Sequence, residues 1–441
     1  MTKLLPTILP VGMCTMRNRQ PLHSSAESLV YGNSLGYLSG APRVSTLPDA
    51  EMSGPKSHVL GIINGFEAHG WDVKRFIVGD RVPAQWRGRG SEQLVSGSRW
   101  RALAADAARV ALSQVNAHRA YQELGQSVDG VYERFALFQA LGRPFQRQGI
   151  PWILETNAVY FREAKHERNS LMLTKLARHM EIQTYQQCDH LVVVSQALKQ
   201  ELIQSCHVPA HKIIVIPNGV DTVLFDPARH TAKRFFDGFT VGFVGRLYNW
   251  QGLDALFHAV HQLRQDGIQI NVVVVGDGQM ETAWRDLVTT LALNDQVHFA
   301  GRVASEEVPA YISGFDVGFS GKVMPQSGIM YFSPLKLYEY LAMGKPVLGA
   351  ADEDARRILR PDFTGYLFPI GDQEELVNAL RRAAIRTTQA AIAAQQARKD
   401  ILQSHSWQVR VADLLAAMQQ PLSATTPAQQ GASQAEALSA R

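Results

Sequence analysis

The run "INVVVVG" at residues 270–276 limits what this chain can fold into. Its apolar side chains do not alternate with polar ones, so as a strand it must be buried on both faces, the environment of a parallel sheet covered by helices. Short runs of the same kind recur: "VKRFIV" (73–78), "GVYE" (130–133), "PWILE" (151–155), "HLVVV" (190–194) and "KIIVI" (212–216). Amphipathic stretches of helical period, such as "LTKLARHMEIQTYQQC" (173–188), lie between most of them. Strand and helix in turn define an α/β architecture.

The rhythm pauses at 217–238, a segment rich in turn formers and charge. It restarts with "TVGFVG" (240–245), "INVVVVG", "VHFAG" (297–301), "DVGFS" (316–320) and "PVLGA" (346–350). Two series predict two doubly wound domains, 31–221 and 222–400, joined by a hinge near residue 220. A chain of 441 residues can bury both cores. Residues 1–30 read as a loose extension. A last helix is expected over 388–418, its end (401–419) lying past the second domain, and the Gln/Ala/Ser-rich stretch 420–441 reads as a disordered tail. In open sheets of this kind ligands bind beyond the carboxyl ends of the strands, so chemistry belongs in a cleft between the domains.

Composition narrows the class of protein. With 46% hydrophobic and 19% charged residues the chain reads as soluble and globular, and a net charge of +4 argues against nucleic acid as a partner. Cys14, Cys188 and Cys206 are far apart and form no metal-binding or disulfide pattern, which points to a reducing compartment. No apolar run approaches the ~20 residues that cross a bilayer. The start "LLPTILPVGMC" has the look of a secretion signal, but it is short, holds two prolines and carries Met13 where a small residue is wanted. A cytoplasmic protein is expected.

The most informative stretch for chemistry is "SPLKLYEYLAMGKPVL" (333–348). Ser333 suits an N-cap and Pro334 the first helical position. Leu335, Tyr338, Leu341 and Ala342 recur at helical spacing, and Gly344 ends the helix before Pro346 opens a strand. A helix starting at the carboxyl edge of strand 316–320 points free N–H groups into the cleft, which makes an anion site suited to phosphate. Glu339 lies further in and can accept hydrogen bonds from two vicinal hydroxyls. The plainer alternative is a Lys336–Glu339 pair on a solvated face. "FVGRL" (243–247) brings Gly245 and Arg246 to the same edge, where a guanidinium could grip a diphosphate. Gly276 in "VVGDG" marks a second turn after a buried strand.

Taken in order, "IPNGVD" (216–221), "GFVGRLYNWQG" (242–252), "VVVVGDG", "VHFAGRV" and "SPLKLYEYLAMGKPVL" resemble the retaining, sugar-nucleotide-dependent glycosyltransferases of family 4. The resemblance runs from about Tyr37 to Met418 and implies the GT-B fold, two Rossmann-like domains facing across a cleft. It implies that Arg246 binds the donor diphosphate, Glu339 the ribose hydroxyls and the backbone at Val303 the base. The segment 331–335, with Tyr331, Ser333 and Leu335, would lie under the phosphates. On the acceptor side it implies Gly54, Lys56 and His58 of "SGPKSHV" (53–59), Glu133 and Arg134 of "YERF", and Asn157 of "ETNA". Arg246 and Lys336 are the candidate catalytic residues. Retention through front-face attack needs no side-chain base and no metal or other cofactor; the nucleotide-sugar is a substrate.

Three positions depart from the family pattern. The first of two glutamates separated by seven residues is Tyr331, the lysine that usually partners the arginine is Gln251, and the strand-end histidine is Asn157. Lys336 or Lys322 is expected to restore the missing charge. These departures keep open a rival class, a degenerate GT-B protein that binds a sugar nucleotide or a partner without turnover. A GT-B epimerase is a lesser rival, and a nicotinamide oxidoreductase lacks its GxGxxG signature. Finally, residues 74–109 hold eight basic residues (Lys74, Arg75, Arg81, Arg87, Arg89, Arg99, Arg101, Arg109) against three acids, with Trp86 and Trp100 among them. That mixture suits an anionic membrane surface, which would bring the cleft to a lipid-linked glycan acceptor at the inner face of the membrane. The alternative is a solvated face and a soluble acceptor.

Overall fold

The computed structural model describes residues 32–50, 53–83, 99–166, 171–324, 328, 330–385 and 387–419. The expected extension and tail, together with Trp86, Arg87, Arg89 and Glu92, lie outside the described residues.

Among the described residues twelve strands form two all-parallel sheets of six. The first holds β1 (Ser34–Ser39), β2 (Asp72–Ile77), β3 (Gly130–Arg134), β4 (Trp152–Thr156), β5 (His190–Val193) and β6 (Ile213–Val215), in the order β2-β1-β3-β4-β5-β6. The second holds β7 (Thr240–Val244), β8 (Asn271–Val275), β9 (Val297–Gly301), β10 (Val317–Ser320), β11 (Val347–Ala350) and β12 (Gly365–Phe368), in the order β12-β11-β10-β7-β8-β9. Each order reverses direction once, between β1 and β3 in the first sheet and between β7 and β10 in the second. At such a reversal successive crossovers leave on opposite faces and open a crevice at the carboxyl ends.

The apolar runs behave as their lack of alternation requires. Val272 and Val274 enter one buried cluster, Val273 and Val275 the other. In the first sheet Val131, Leu154 and Val193 face one cluster while Tyr132, Ile153 and Val192 face the second. β1 and β12 were not among the expected strands: "SLGYLS" and "GYLF" carry Gly and Ser, and only their sheet neighbours make them strands.

The single last helix expected over 388–418 is two helices, Thr387–Ser404 and Trp407–Gln419. The Ser406 hydroxyl accepts from the Val409 N–H at 3.2 Å and starts the second. At the break Val220 pairs with Ser406, its N–H donating to the His405 carbonyl at 3.1 Å. Ala397 and Ile401 pack in the second half, whereas Trp407, Val411, Leu414 and Met418 complete the core of the first. The chain thus crosses between the halves twice, at adjacent points.

The last helix lies so close to the Gly54–Ala68 helix that a Cβ on Gly61 would sit 2.3 Å from the Trp407 ring. Gly61→Ala should therefore cost about 1–3 kcal/mol through overpacking, measured by urea denaturation. An unchanged midpoint would mean that this contact is loose.

Candidate functional site

The carboxyl edge of the second sheet supplies one wall of the cleft. After β7 the backbone turns through Gly245 (φ 145°) and after β8 through Gly276 (φ 134°), conformations that L side chains rarely adopt. A Cβ on Gly276 would lie 1.9 Å from the Gly245 carbonyl oxygen, so the two turns meet backbone to backbone. Arg246 emerges there, one-third exposed, its Nη1 donating to Asp277 Oδ1 at 2.9 Å. Its guanidinium lies 5.5 Å from the Tyr248 ring. The sequence reading passed over Asp277, although it sits in the quoted "VVGDG".

The Leu335–Ala342 helix follows β10, as expected, but its N-cap is Pro334 and no side chain caps it. This corrects the assignment of Ser333 as the cap. The Ser333 hydroxyl is turned away, accepting from the Asn218 N–H at 3.0 Å and donating to Asp354 Oδ2 at 2.5 Å. Lys336 does not pair with Glu339: no such ion pair exists within 4.0 Å among the described residues. Instead its Nζ donates to Gln251 Oε1 at 2.6 Å and lies 4.0 Å from the Phe243 ring, 3.5 Å from where a Cβ on Gly245 would be. The ammonium on the helix and the amide on the loop therefore occupy one spot. Lys322 is neutralised by Asp352. Burial pushes the Lys336 ammonium down to about 7, with the Lys322 charge adding to the effect and Glu339 opposing it. Burial pushes the Glu339 carboxyl up to about 7, opposed by Lys336. Among the described residues no side-chain hydrogen bond reaches Glu339. Val303 packs half-buried beside the same cluster as the helix.

Besides Ser333, two further residues expected at the donor have their side chains elsewhere. Tyr331 is 6% exposed and belongs, with Phe332, to the core of the first half, and its carbonyl accepts from Ser195 Oγ at 2.9 Å. Leu335 packs on the other core of that half, and a Cβ on Gly54 would lie 3.6 Å from it. The segment before the helix is thus anchored across the cleft. The Glu353 carboxylate adds a second tie, accepting from the N–H groups of Gln196 and Ala197 at 2.8 and 3.0 Å.

The expected acceptor-side residues separate into two groups. Lys56 is buried and its Nζ donates to the carbonyls of Leu47 and Ala50 at 2.7 Å each, fixing the loop that precedes the Gly54–Ala68 helix. Burial lowers its pKa. Glu133 is wholly buried and accepts from the N–H groups of Leu141 and Gly142 at 2.9 and 2.8 Å. Burial raises its pKa to about 7 although both N–H groups favour the charge. These two side chains are buried and bonded to backbone groups of their own half. His58, Arg134 and Asn157 converge on a residue the sequence reading quoted without assigning, Glu155. His58 Nε2 lies 2.5 Å from Glu155 Oε1 and Arg134 Nη1 3.3 Å from it. The Asn157 amide satisfies both neighbours with its nitrogen donating to Glu155 at 2.7 Å and its oxygen accepting from Arg134 at 3.0 and 3.2 Å. Burial would raise the Glu155 pKa, but the His58 charge, followed by Arg134 and Tyr132, holds it at about 2. A strand-end carboxylate with its neighbour in a polar cluster was the signal that could have found it.

Two parallel six-stranded sheets, each covered by helices, give a two-domain α/β architecture of the GT-B type. The family model for "Glycosyltransferase Family 4" matches residues 52–224 and that for "Glycosyl transferases group 1" matches 231–400, and the chain belongs to this family. It is 28% identical to WcaL of Escherichia coli (strain K12), provisionally named a colanic acid biosynthesis glycosyltransferase, over 49% of this chain and 53% of WcaL. It is 26% identical to the amylovoran biosynthesis glycosyltransferase AmsK of Erwinia amylovora, over 45% of this chain and 48% of AmsK. The chain spans about half the length of these curated relatives. Among solved structures, Anabaena HepE in complex with UDP-glucose aligns with a TM-score of 0.58 at 18% identity, covering 87% of this chain and 99% of HepE.

On the expectation that a nucleotide binds here, the two shifted groups predict a pH dependence for its affinity. Hydroxyl donors favour the Glu339 carboxylate, so binding releases a proton below about 7 and affinity rises with pH up to that point. A diphosphate favours the Lys336 ammonium, so binding takes up a proton above about 7 and affinity falls with further rise. Calorimetry with UDP should give a bell-shaped profile centred near neutral pH. Glu339→Gln should flatten the acid limb and Lys336→Gln the alkaline limb; limbs unaffected by these changes would refute the two assignments.

Proposed function

We propose that this protein transfers a sugar from a nucleotide-sugar to a glycan or lipid-linked acceptor with retention of configuration, in the biosynthesis of a polysaccharide or glycoconjugate. The observation that carries the reading is the convergence of Arg246, Lys336 and the uncapped Leu335–Ala342 helix on the carboxyl edge of the second sheet. Three positive features at one point suit a leaving diphosphate, and their charge supports departure without a metal. Glu339, with no internal partner among the described residues, is free to take the ribose hydroxyls. HepE, a neighbour in fold, binds UDP and UDP-glucose, which favours a nucleoside diphosphate donor here. WcaL and AmsK, named for polysaccharide biosynthesis, favour a glycan product.

The rival reading, donor binding without turnover, draws on one specific observation: Tyr331, which stands for a carboxylate, is buried in the opposite half. Incubation with a panel of sugar nucleotides decides between them. Release of nucleoside diphosphate that survives excess chelator supports transfer, and Arg246→Ala should then lower kcat by about 10²-fold or more with a smaller change in donor affinity. Binding with no release from any donor would establish the rival.

The acceptor is proposed to be presented at a membrane surface. Of the basic residues in 74–109, Lys74, Arg75, Arg81 and Arg109 pair with Asp72, Glu67, Glu123 and Asp106, which removes much of the free charge the composition implied. What supports contact is apolar: Trp100, 80% exposed, lies on the Arg99–Leu124 helix with exposed Leu112 and Val115 and the exposed Arg101. No helix among the described residues is long and apolar enough to cross a membrane. Co-sedimentation with anionic liposomes should be lost in a Trp100→Ser/Leu112→Ser/Val115→Ser variant. Equal pelleting of variant and parent, or none by either, would favour a soluble acceptor.

A further inference from the structure

A buried polar chain runs from the first half of the molecule to the start of the Leu335–Ala342 helix. Glu155 near the end of β4 lies 2.5 Å from His58 Nε2, without hydrogen-bond geometry. His58 Nδ1 faces Asn218 Oδ1 at 2.8 Å, in the linker between the halves. Asn218 in turn holds Ser333 twice, its Nδ2 donating to the Ser333 carbonyl at 2.5 Å and its backbone N–H to Ser333 Oγ at 3.0 Å. Ser333 Oγ donates to Asp354, which also accepts from Tyr338 Oη at 2.8 Å and Arg357 at 2.9 Å. Each of Glu155, His58, Asn218, Ser333 and Asp354 is at most 7% exposed.

Because the Asn218 amide nitrogen is committed to Ser333, its oxygen faces His58 Nδ1, which donates to it. The Glu155 carboxylate lies against Nε2 on the other side of the ring. The other groups around it do not compete for the ring. Arg134 and Tyr132 of β3 address the Glu155 carboxylate, Tyr37 of β1 bears on it only through charge, and Arg410 donates to the Asn218 carbonyl at 3.2 Å. On the remaining side the Trp407 ring stands edge-on, 4.9 Å away.

We infer that His58 is a positioning residue: through Asn218 it couples the Glu155–Arg134–Asn157 cluster on the acceptor side to Ser333 and so holds the donor-side helix in register with the opposite half. This rests on the proposed donor site for its consequence in catalysis, though not for its structural content.

The test compares the nucleotide-free parent with His58→Gln and Asn218→Ala at one pH. Small-angle scattering should show both variants with a larger radius of gyration than the parent, while far-UV circular dichroism confirms that they are folded. A side chain that only filled space would lower the melting temperature and leave radius and UDP affinity as in the parent. Both variants should bind UDP about tenfold more weakly than the parent, the effect of one lost buried hydrogen bond. Variants with the parent's radius and UDP affinity overturn the inference. A parent that binds no UDP instead sinks the donor site and leaves the scattering to decide the coupling.

Discussion

Everything in this molecule follows from strands that can hide only by being covered on both faces. A parallel sheet covered in this way exposes little but its ends, and the crossover helices return the chain to the same end each time. All polar work is thereby concentrated at the carboxyl edges. With two such sheets in one chain, the site forms where the edges meet. The two crossings of the chain, at Val220 and at His405–Trp407, lie against each other and fix where that meeting falls. The last helix fills the core of the first half, so neither half buries its apolar surface without the other end of the chain.

The electrostatics of the two walls differ in kind. On the first wall the Glu155 charge is matched: it is surrounded by His58, Arg134, Tyr132 and Asn157, and its carboxyl stays far below the usual range. On the second wall the charges are not. Glu339 and Lys336 are displaced in opposite directions toward neutrality because burial outweighs what their neighbours return. A matched cluster holds its shape, whereas an unmatched one leaves interaction unspent, which is what the proposed donor site requires.

Gln251 meets Lys336 at the same edge, its side-chain oxygen accepting from Lys336 Nζ at 2.6 Å. Tyr331 is a different case, since its ring leaves the cleft for the opposite core and contributes position in place of charge. The anchoring of Tyr331, Phe332 and Leu335 across the cleft, with the Glu353 tie beside them, makes the start of the helix a shared element of both halves.

Much of this was legible in the linear chain. Buried strands, the pause near residue 220 and the glycine–arginine edge at Gly245–Arg246 are local patterns, because apolar runs and glycine turns carry their physical reason within a few residues. The family motifs lay in order along the chain for the same reason. Tertiary structure alone decided which way side chains point. Ser333 has the chemistry of a cap, yet Asn218 and Asp354, over a hundred residues before and twenty-one after it, claim its hydroxyl. Lys336 stands one turn from Glu339, yet reaches Gln251 because burial beside Phe243 leaves that oxygen as its partner. Glu133 and Glu155 end neighbouring strands with equal promise, and only the fold turns one inward to two N–H groups and the other to a histidine. A sequence fixes which groups are available and which backbone carries them; partners drawn from distant segments are set by packing, which no local pattern encodes.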